Sequence, residues 1–247
     1  MKVAIIFIGT NKYLDFLPTY YEGIEKHFLP NSEKTIFAFT DGELDDTPDN
    51  INVYQQEHLD WPYITLKRFE IINKAKEVIK DCDWLVFIDA DALPVATITE
   101  EEFLSRCCGA DTNQVPFFGV HHPCHYLKMP PHNEAPGAYD QNKESLAYVD
   151  VEKENPQTYF QGCFWGGKVP AIMQMIDELE YRVNKDLEND VVALWHDESH
   201  INRYFLDREF DVHTFGPEYA YPEVFDQYCN FEPKIVHLAK DNSKYQQ

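Results

Sequence analysis

The feature that most constrains the fold is a short, continuous apolar segment, Trp84–Ile88, with aspartates on both sides of it. A run of this length without polar alternation is typical of a central strand that is covered on both faces, as in α/β proteins. Asp89-Ala-Asp91 follows the segment at once. Because open α/β sheets bind ligands beyond the carboxyl ends of their strands, these carboxylates are candidate ligand-binding groups.

Apolar residues elsewhere in the chain recur with the periods of alternating strands and helices. The pattern predicts strands over residues 3–8, 35–39, 51–54 and 234–238, and helices over residues 17–28, 170–194 and 196–207. Another helix is predicted after Trp61-Pro62, with an apolar face made of Ile64, Phe69, Ile71, Ile72, Ala75, Val78 and Ile79. Residues 115–167 are rich in Pro, His, Asn, Gly and Tyr, which predicts strands separated by long loops.

Chain length and organisation favour one α/β domain. A chain of 247 residues can bury a sizeable core, and no repeat, low-complexity linker or domain boundary is evident. The N-terminal apolar run, residues 3–8, is far shorter than the ~20 residues of a membrane-spanning helix. We therefore expect one domain over residues 1–247 and no membrane span.

The strongly acidic composition argues against nucleic acid and anionic membranes as partners, and it limits how a small phosphorylated ligand can bind. A formal net charge of −22 repels nucleic-acid phosphates and anionic lipid surfaces at long range, so neither is an expected partner. A small phosphorylated ligand would need a local cation to offset this field. A metal held by carboxylates would supply that cation.

The six cysteines, at positions 82, 107, 108, 124, 163 and 229, have no CxxC spacing. Nothing at the start of the sequence resembles a secretory signal. We therefore expect free buried thiols in a reducing compartment, and hence a cytoplasmic location.

Two acidic triplets compete for the role of a metal site. Asp81-Cys-Asp83 precedes the apolar segment and Asp89-Ala-Asp91 follows it, and among 43 acidic residues either triplet can be a solvated turn. Position favours Asp89 and Asp91. At the carboxyl end of the predicted strand, two carboxylates can hold a hard divalent cation against a diphosphate.

Another polar cluster, His196-Asp-Glu-Ser-His200, opens the last predicted helix. The two histidines share a helical face at spacing i, i+4, as in zinc peptidases, but that motif requires Glu directly after the first His, where Asp197 stands. The competing interpretation is an N-terminal helix cap by Asp197 or Ser199, with the histidines at the surface. The residues alone leave both interpretations open.

Two more segments combine residue types that are used in ligand recognition. The glycine-rich stretch Gly162 to Gly167 fits a backbone that approaches a sugar beside aromatic rings, and it equally fits a tight turn with core aromatics. The histidine-rich stretch His121 to Tyr126 contains candidate metal ligands. Because consecutive histidines point apart on an extended chain, we expect a hydrogen-bonding loop there instead.

The string from Leu194 to Phe205, Leu-Trp-His-Asp-Glu-Ser-His-Ile-Asn-Arg-Tyr-Phe, closely resembles the signature of glycosyltransferase family six. That family includes the blood-group A/B transferases and α-1,3-galactosyltransferase. More matches follow in the same order along nearly the whole chain: Lys12-Tyr13, Phe39-Thr-Asp41, Trp61, Arg68-Phe-Glu-Ile-Ile72, Asp89-Ala-Asp91, His122-Pro123 with Tyr126, Ala147-Tyr-Val149, Gly166-Gly167 and Pro217-Glu-Tyr219.

The resemblance implies an α/β fold of the GT-A glycosyltransferase type, a mixed central sheet flanked by helices. It implies a nucleotide-binding half over about residues 1–95 and an acceptor and catalytic half over residues 96–247. Glu198 matches the family's proposed nucleophile and is the expected catalytic residue.

The resemblance also assigns binding roles. The expected contacts to the UDP-sugar and metal are Phe7, Ile8, Gly9, Tyr13, Arg68, Asp89, Ala90, Asp91 and Lys240. Of these, Asp89 and Asp91 match the metal ligands. The expected contacts to the acceptor or the transferred sugar are His122, Tyr126, Gln161, Gly162, Cys163, Trp195, His196 and Asp197.

Departures from the family pattern carry information. Some bacterial relatives carry Asn-x-Asn and work without metal, so the intact Asp89 and Asp91 imply a member that depends on Mn²⁺ or Mg²⁺. Cys163 replaces a small residue beside the sugar's 2-substituent, which favours galactose over N-acetylgalactosamine. Pro222-Glu223 stands where an acceptor-binding acid is expected, so the acceptor does not follow from the resemblance. The membrane anchor and stem of animal members are missing from the sequence, which implies a soluble bacterial or viral form.

The expected activity is transfer of galactose or N-acetylgalactosamine from a UDP-sugar, with retention and in α-1,3 linkage, to a galactoside-type oligosaccharide acceptor. Glu198 would either form a covalent glycosyl-enzyme or stabilise an oxocarbenium-like state, and the sequence does not separate the two routes. It does not reveal the oligomeric state. The alternatives are a catalytically silent carbohydrate-binding protein of the same fold and a zinc hydrolase using His196 and His200.

Overall fold

The structure is a computed structural model that describes residues 1–44, 46–108, 115–129 and 138–240, apart from the side chains of residues 106–108, 225, 226 and 228. Two sheets form its framework. Their strands are β1 (Lys2–Ile8), β2 (Glu33–Thr40), β3 (Ile51–Gln55), β4 (Trp84–Ile88), β5 (Ala92–Pro94), β6 (Phe117–His121), β7 (Phe160–Lys168), β8 (Val212–Phe215), β9 (Tyr221–Pro222) and β10 (Ile235–His237).

The larger sheet has seven strands in the order β3-β2-β1-β4-β7-β6-β8. Strands β3, β2, β1 and β4 are parallel, β7 is antiparallel to both of its neighbours, and β8 is parallel to β6. Strands from both predicted halves of the chain therefore belong to one mixed sheet, as expected. A smaller sheet, β5-β10-β9, lies beyond the carboxyl end of β4.

The α-helices are α1 (Leu17–His27), α2 (Tyr63–Leu66), α3 (Arg68–Asn73), α4 (Lys76–Ile79), α5 (Glu100–Cys108), α6 (Pro123–Tyr126), α7 (Val151–Glu154), α8 (Val169–Glu188) and α9 (His196–Leu206). Short 3₁₀ helices occur at Asn11–Phe16, Glu209–Asp211, Pro217–Ala220 and Glu223–Tyr228. Within the described ranges, no helix has the length and apolar character needed to cross a membrane.

Strand β4 is the buried centre of the sheet, as its continuous apolar sequence predicts. Val86 and Ile88 pack into the core on the side of α1, whereas Leu85 and Phe87 pack into the core formed with α3, α8 and α9. All five residues of the strand are buried. Covering both faces of the strand removes apolar surface from water on both sides, so no polar alternation is needed.

The single helix that was predicted after Trp61-Pro62 is wrong in detail. The backbone leaves the α region at Lys67 and at Ala75, where ψ is 12° and 5°, and the segment divides into α2, α3 and α4. Val78, predicted on the apolar face, is 46% exposed. The break at Lys67 starts α3 at Arg68, whose buried side chain reaches the pocket described below.

The helix predicted over residues 170–194 ends earlier, at Glu188. Asp190 adopts a left-handed conformation with φ of 58°, which terminates a right-handed helix. The other strand and helix predictions agree with the structure to within two residues at each end. Periodicity located these elements because each buries one face, or both, against the sheet.

The glycine-rich stretch Gly162 to Gly167 lies within strand β7, so the tight turn that was considered for it is wrong. Gly166 pairs with Val86 of β4. A Cβ atom at Gly166 would lie 2.2 Å from the carbonyl oxygen of Leu85, so glycine is needed there for the strands to approach.

Free thiols were predicted for all six cysteines. Cys82, Cys124, Cys163 and Cys229 are free in the structure, and Cys124 and Cys163 are buried whereas Cys82 and Cys229 are half-buried. The side chains of Cys107 and Cys108 lie outside the described residues.

Candidate active site

A pocket of about 410 Å³ lies at the carboxyl ends of β1 and β4, with the start of β7, the first turn of α9 and the end of β10 as its other walls. This is the edge at which open α/β sheets bind ligands. The pocket brings together most of the predicted site residues: Ile8, Tyr13, Arg68, Asp89, Ala90, Asp91, Gln161, Gly162, Cys163, Trp195, His196, Asp197, Glu198 and Lys240.

One wall of the pocket carries an acidic cluster. Among the residues that the structure describes, Asp89, Asp91 and His237 form the one group of three side chains whose ligand atoms lie close enough to hold a metal, all within 4.8 Å of one another. The Nε2 atom of His237 lies 3.2 Å from Oδ1 of Asp91, and the ammonium group of Lys240 forms an ion pair with Oδ2.

The two aspartates of this cluster differ in their protonation energetics. Burial raises the pKa of Asp89, and the nearby Arg68 only partly offsets that effect. Burial also opposes ionisation of Asp91, but His237 and Lys240 together hold the pKa of its carboxyl well below the usual range. Asp91 is therefore ionised at ordinary pH.

Arg68 connects the acidic cluster to Gly162 and Asp197 in the same pocket. One guanidinium nitrogen, Nη1, donates to the carbonyl oxygen of Gly162 at 2.9 Å and lies 2.7 Å from Oδ2 of Asp197. The other, Nη2, donates to Oδ1 of Asp89 at 3.2 Å. The guanidinium carbon stands 4.1 Å from the centre of the Phe87 ring. Because Arg68 is itself buried, these contacts hold it in one orientation.

Glu198 lines the same pocket, on the first turn of α9. The backbone N–H of Gly162 donates to its Oε2 atom at 2.7 Å. A Cβ atom at position 162 would lie 3.4 Å from Cβ of Glu198, which is ordinary van der Waals contact. Burial raises the pKa of Glu198 to about 7, and it raises the pKa of Asp197 to about 6.

The start of α9 differs from the capped helix with surface histidines that one interpretation of the sequence predicted. The residue before the helix is Trp195, and its side chain makes no capping hydrogen bond. The hydroxyl oxygen of Ser199, inside the helix, accepts from the N–H of Trp195 at 2.9 Å. His200 is fully buried, and His196 is half-buried with φ of 53°. The predicted cap by Asp197 or Ser199 and the predicted surface histidines are therefore both wrong.

The structure separates the two histidines of the zinc-hydrolase alternative. The His196 ring packs edge-on against Trp61 in the pocket, with 4.6 Å between ring centres. His200 is outside the pocket lining, with Nε2 3.6 Å from Oδ2 of Asp186. Neither belongs to the metal-capable cluster of the described residues. The i, i+4 spacing thus does not create a zinc site here.

Two predicted nucleotide contacts lie outside the pocket lining. Phe7 is buried in the core, with its ring centre 5.0 Å from that of Tyr20. The N–H of Gly9 donates to the carbonyl oxygen of Phe39 at 3.0 Å, as part of the sheet edge. Their neighbour Ile8 lines the pocket. The predicted roles of Phe7 and Gly9 stay predictions.

The predicted acceptor contacts His122 and Tyr126 also lie outside the pocket lining. His122 is buried and caps α6, because its Nδ1 atom accepts from the N–H of Cys124 at 3.1 Å. Nε2 of His121 and Nδ1 of His125 lie 2.9 Å apart, so this segment is a hydrogen-bonding loop, as expected. Tyr126 is half-exposed. The predicted contacts of His122 and Tyr126 to an acceptor stay predictions.

Sequence reasoning missed several residues of the pocket, above all His237. Its sequence pattern indicated a late strand and nothing more. Thr10, His58 and Leu238 also line the pocket without having been predicted as site residues. No spacing rule relates these positions to Asp89, so the sequence contains no local signal for them.

Two buried polar atoms on the pocket wall have no hydrogen-bond partner among the described residues. They are the indole Nε1 of Trp195 and the amide Oε1 of Gln161. A buried donor or acceptor without a partner costs free energy, and such atoms in a pocket are typical of groups that bind a ligand.

Comparisons with known proteins agree with this arrangement. The sequence profile of glycosyltransferase family 6 matches residues 1–246. The O-antigen biosynthesis glycosyltransferase WbnI of Escherichia coli is 25% identical over 99% of this chain and 97% of its own length. The histo-blood group ABO system transferase 2 of Rattus norvegicus is 24% identical over 96% of this chain and 68% of its own length.

A third relative is the globoside alpha-1,3-N-acetylgalactosaminyltransferase 1 of Gallus gallus, 24% identical over 91% of this chain and 65% of its own length. The mixed sheet with flanking helices is the GT-A type of architecture that the resemblance implied. Given a profile match along almost the full chain and a pocket at the expected sheet edge, this protein belongs to glycosyltransferase family 6.

Proposed function

We propose that this glycosyltransferase moves galactose or N-acetylgalactosamine from a UDP-sugar onto a galactoside-type glycan, in α-1,3 linkage, with retention and with the help of a divalent cation. The observation that carries the proposal is that one pocket contains both a metal-capable cluster and a carboxylate with a raised pKa. Asp89, Asp91 and His237 form the cluster, and the half-buried Glu198 lines the same pocket. Such a pocket can hold a diphosphate at one end and a sugar at the other.

The donor groups of the acidic cluster fit a divalent cation such as Mn²⁺. Carboxylate oxygens suit Mg²⁺ and Mn²⁺, and an imidazole nitrogen is compatible with Mn²⁺. A bound cation would neutralise charge on the diphosphate and on the departing UDP. In a chain with net charge −22, this neutralisation favours the binding of UDP.

Protein cations complete the proposed diphosphate site. Arg68 and Lys240 both line the pocket beside the aspartates. Their positive charges stabilise the charge that develops on the leaving group, without reorganisation at the moment of reaction. Lys240 also stands 4.8 Å from the centre of the ring of Tyr13, another proposed nucleotide contact, which supports a role for both residues in binding the nucleotide.

Glu198 supplies the negative group that a retaining mechanism needs near the anomeric carbon. The N–H of Gly162 holds one carboxylate oxygen, which orients the side chain toward the pocket. From there the carboxylate either attacks the anomeric carbon or stabilises an oxocarbenium-like state. The bond between the anomeric carbon and the β-phosphate oxygen of UDP breaks, and the acceptor hydroxyl arrives on the leaving-group face. Its oxygen forms the new glycosidic bond, and its proton passes to the departing UDP phosphate.

The remaining pocket residues are suited to the transferred sugar. Asp197 and the free indole N–H of Trp195 are an acceptor and a donor for sugar hydroxyls. Cys163 is buried in the lining and narrows the site beside them, which supports galactose as the better donor sugar. In this proposal residues 1–95 contribute mainly nucleotide contacts, and residues 96–247 contribute the catalytic and acceptor contacts.

The deciding experiment offers UDP-galactose, UDP-N-acetylgalactosamine, UDP-glucose and UDP-N-acetylglucosamine with Mn²⁺ and a panel of fucosylated and unfucosylated galactosides. We expect UDP release and an α-1,3-linked product with the galactose-type donors. Removal of the cation with EDTA should lower transfer by roughly a hundredfold or more, and Mn²⁺ should restore it. UDP-sugar binding without turnover on any acceptor would instead favour the silent carbohydrate-binding protein.

Transfer should also depend on pH through Glu198. The pKa of this carboxyl is raised to about 7, and only the ionised form can assist the anomeric carbon. We therefore expect kcat/KM to fall about tenfold for each pH unit below about 7, and to level off above it. The measurement is kcat/KM at saturating Mn²⁺ over about pH 5 to 8.5. A flat profile down to pH 5 would show that Glu198 ionises at an ordinary pKa.

A further inference from the structure

His237 is the member of the acidic cluster that neither the metal motif nor the family resemblance assigned. Its position is fixed by the backbone, because β10 pairs antiparallel with β5 and places His237 opposite Ala92, the residue after Asp91. The N–H of Leu238 also donates to the carbonyl oxygen of Asp91 at 2.9 Å. The sheet thus holds this imidazole beside the aspartate pair in a defined register.

The ring of His237 is oriented by a second contact, with Gln161. Nδ1 of His237 lies 3.4 Å from the amide nitrogen of Gln161, while Nε2 faces Asp91. The amide oxygen of Gln161 is buried and has no partner among the described residues. Turning the amide by half a rotation keeps its shape and brings that oxygen to Nδ1. The Nδ1–H group of His237 then donates a hydrogen bond to Gln161, and Nε2 is left with a free lone pair.

This arrangement is the one that metal-binding histidines generally use. A ligating imidazole donates its other N–H to a fixed acceptor, which sets the tautomer and the ring orientation. We propose that His237 is a third protein ligand of the divalent cation, through Nε2, and that Gln161 orients it. The inference rests on the cation of the proposed function and adds the ligand set.

A consequence is that the cation binds before the nucleotide. Two carboxylates and an imidazole supply three protein ligands, of which Asp91 is buried and the other two are half-buried, so the cation is held without help from a diphosphate. Lys240 competes with it, because its ammonium group is ion-paired to Asp91. Binding of the cation releases Lys240 from this aspartate and makes it available to the diphosphate.

The test uses Mn²⁺ with the whole protein and no nucleotide. Pulsed EPR of bound Mn²⁺ detects a coordinated ¹⁴N nucleus directly, and the loss of the free-ion signal gives the dissociation constant. We expect a ¹⁴N coupling in the wild-type protein, its loss in His237→Ala, and a weakening of Mn²⁺ binding by roughly tenfold or more in that variant. Gln161→Leu should keep the coupling but weaken binding by about tenfold.

Lys240→Met is the matched control, since Lys240 and His237 are both partners of Asp91. If His237 acted only as a positive partner of this aspartate, its removal would strengthen Mn²⁺ binding, as we expect for Lys240→Met. Weaker Mn²⁺ binding in His237→Ala together with stronger Mn²⁺ binding in Lys240→Met therefore identifies His237 as a ligand. Wild-type protein whose bound Mn²⁺ shows no ¹⁴N coupling would overturn the inference without any variant having to fold.

The outcomes also separate this inference from the proposed function. If transfer needs Mn²⁺ but the bound Mn²⁺ shows no ¹⁴N coupling, His237 is not a ligand, and the proposed transferase function still stands. If the protein binds Mn²⁺ with a ¹⁴N coupling but transfers sugar from none of the UDP-sugars, the metal site is supported and the proposed reaction is contradicted.

Discussion

Glu198→Gln should lower the rate of sugar transfer by about a hundredfold or more, with little change in UDP binding. Glutamine keeps the shape of the side chain and can still accept the 2.7 Å hydrogen bond from Gly162, but it carries no negative charge. A charged group aimed at developing positive charge in a buried site commonly contributes several kcal/mol of barrier lowering, and about 2.7 kcal/mol corresponds to a hundredfold in rate. The measurement is kcat for UDP-galactose with a galactoside acceptor and Mn²⁺.

The stability of the same variant provides an independent check. The folded-state pKa of Glu198, about 7, lies above its usual value of 4.5, so the folded form holds this proton more tightly than the unfolded form. The contribution of Glu198 to stability is therefore lost as pH rises from about 4.5 through 7, by up to about 3 kcal/mol. Glu198→Gln removes this loss, and the variant should unfold at higher denaturant concentration than the wild type at pH 8.

Glu101→Gln is the matched control, because Glu101 is exposed on α5 and does not line the pocket. It should change neither the transfer rate nor the pH dependence of unfolding. A Glu198→Gln variant with a near-normal rate would remove Glu198 from the chemistry. Retained activity together with unchanged stability at pH 8 would mean that the carboxylate is neither buried nor catalytic.

Arg68→Met should destabilise the folded protein by about 3–5 kcal/mol and abolish detectable transfer. Arg68 is the buried partner of Asp197 at 2.7 Å and of Asp89 at 3.2 Å. Removing one partner of a buried ion pair leaves an uncompensated charge, which costs far more than the pair itself contributes. Arg68→Lys keeps the charge but lacks the forked geometry that spans Asp89, Asp197 and the Gly162 carbonyl, so it should restore only part of the stability.

The cost of Arg68→Met should depend on pH in a direction that the site dictates. Burial raises the pKa of Asp197 to about 6 even with Arg68 present, and Arg68 lowers it. Without the guanidinium the pKa of Asp197 rises further, so below about pH 6 the carboxyl is neutral and the penalty shrinks. The measurement is the loss of unfolding free energy in Arg68→Met, by chemical denaturation at about pH 5, where Asp197 is neutral, and at about pH 8, where the penalty is larger.

Lys76→Met is the matched control for Arg68→Met, because it breaks an ion pair at the surface, where water screens the charges. Lys76 pairs with Asp177 at 2.6 Å on the surface, where such pairs contribute less than about 1 kcal/mol. If Arg68→Met cost as little as Lys76→Met at pH 8, or cost the same at both pH values, Arg68 would not be holding buried carboxylates together.

Local patterns in the sequence were sufficient for the elements that bury apolar faces. The run Trp84–Ile88 was predicted to be the central strand, and it packs into both cores because it has no polar face. Its position then placed Asp89 and Asp91 at a ligand-binding edge, since side chains that follow a parallel strand leave the sheet there. The string around Glu198 carried the family resemblance because the start of α9 presents several pocket residues within one helical turn.

The tertiary structure alone decided which distant groups meet. His237 reaches Asp91 across 146 positions of the chain, and Arg68 reaches Gly162 across 94. Both contacts follow from strand pairing and helix packing, so no spacing rule could reveal them. The same holds for His196 and His200, which share a helix but face a pocket and a buried aspartate respectively. Periodicity reports which side of an element is apolar, whereas the contacts across the pocket depend on how the separate elements pack together.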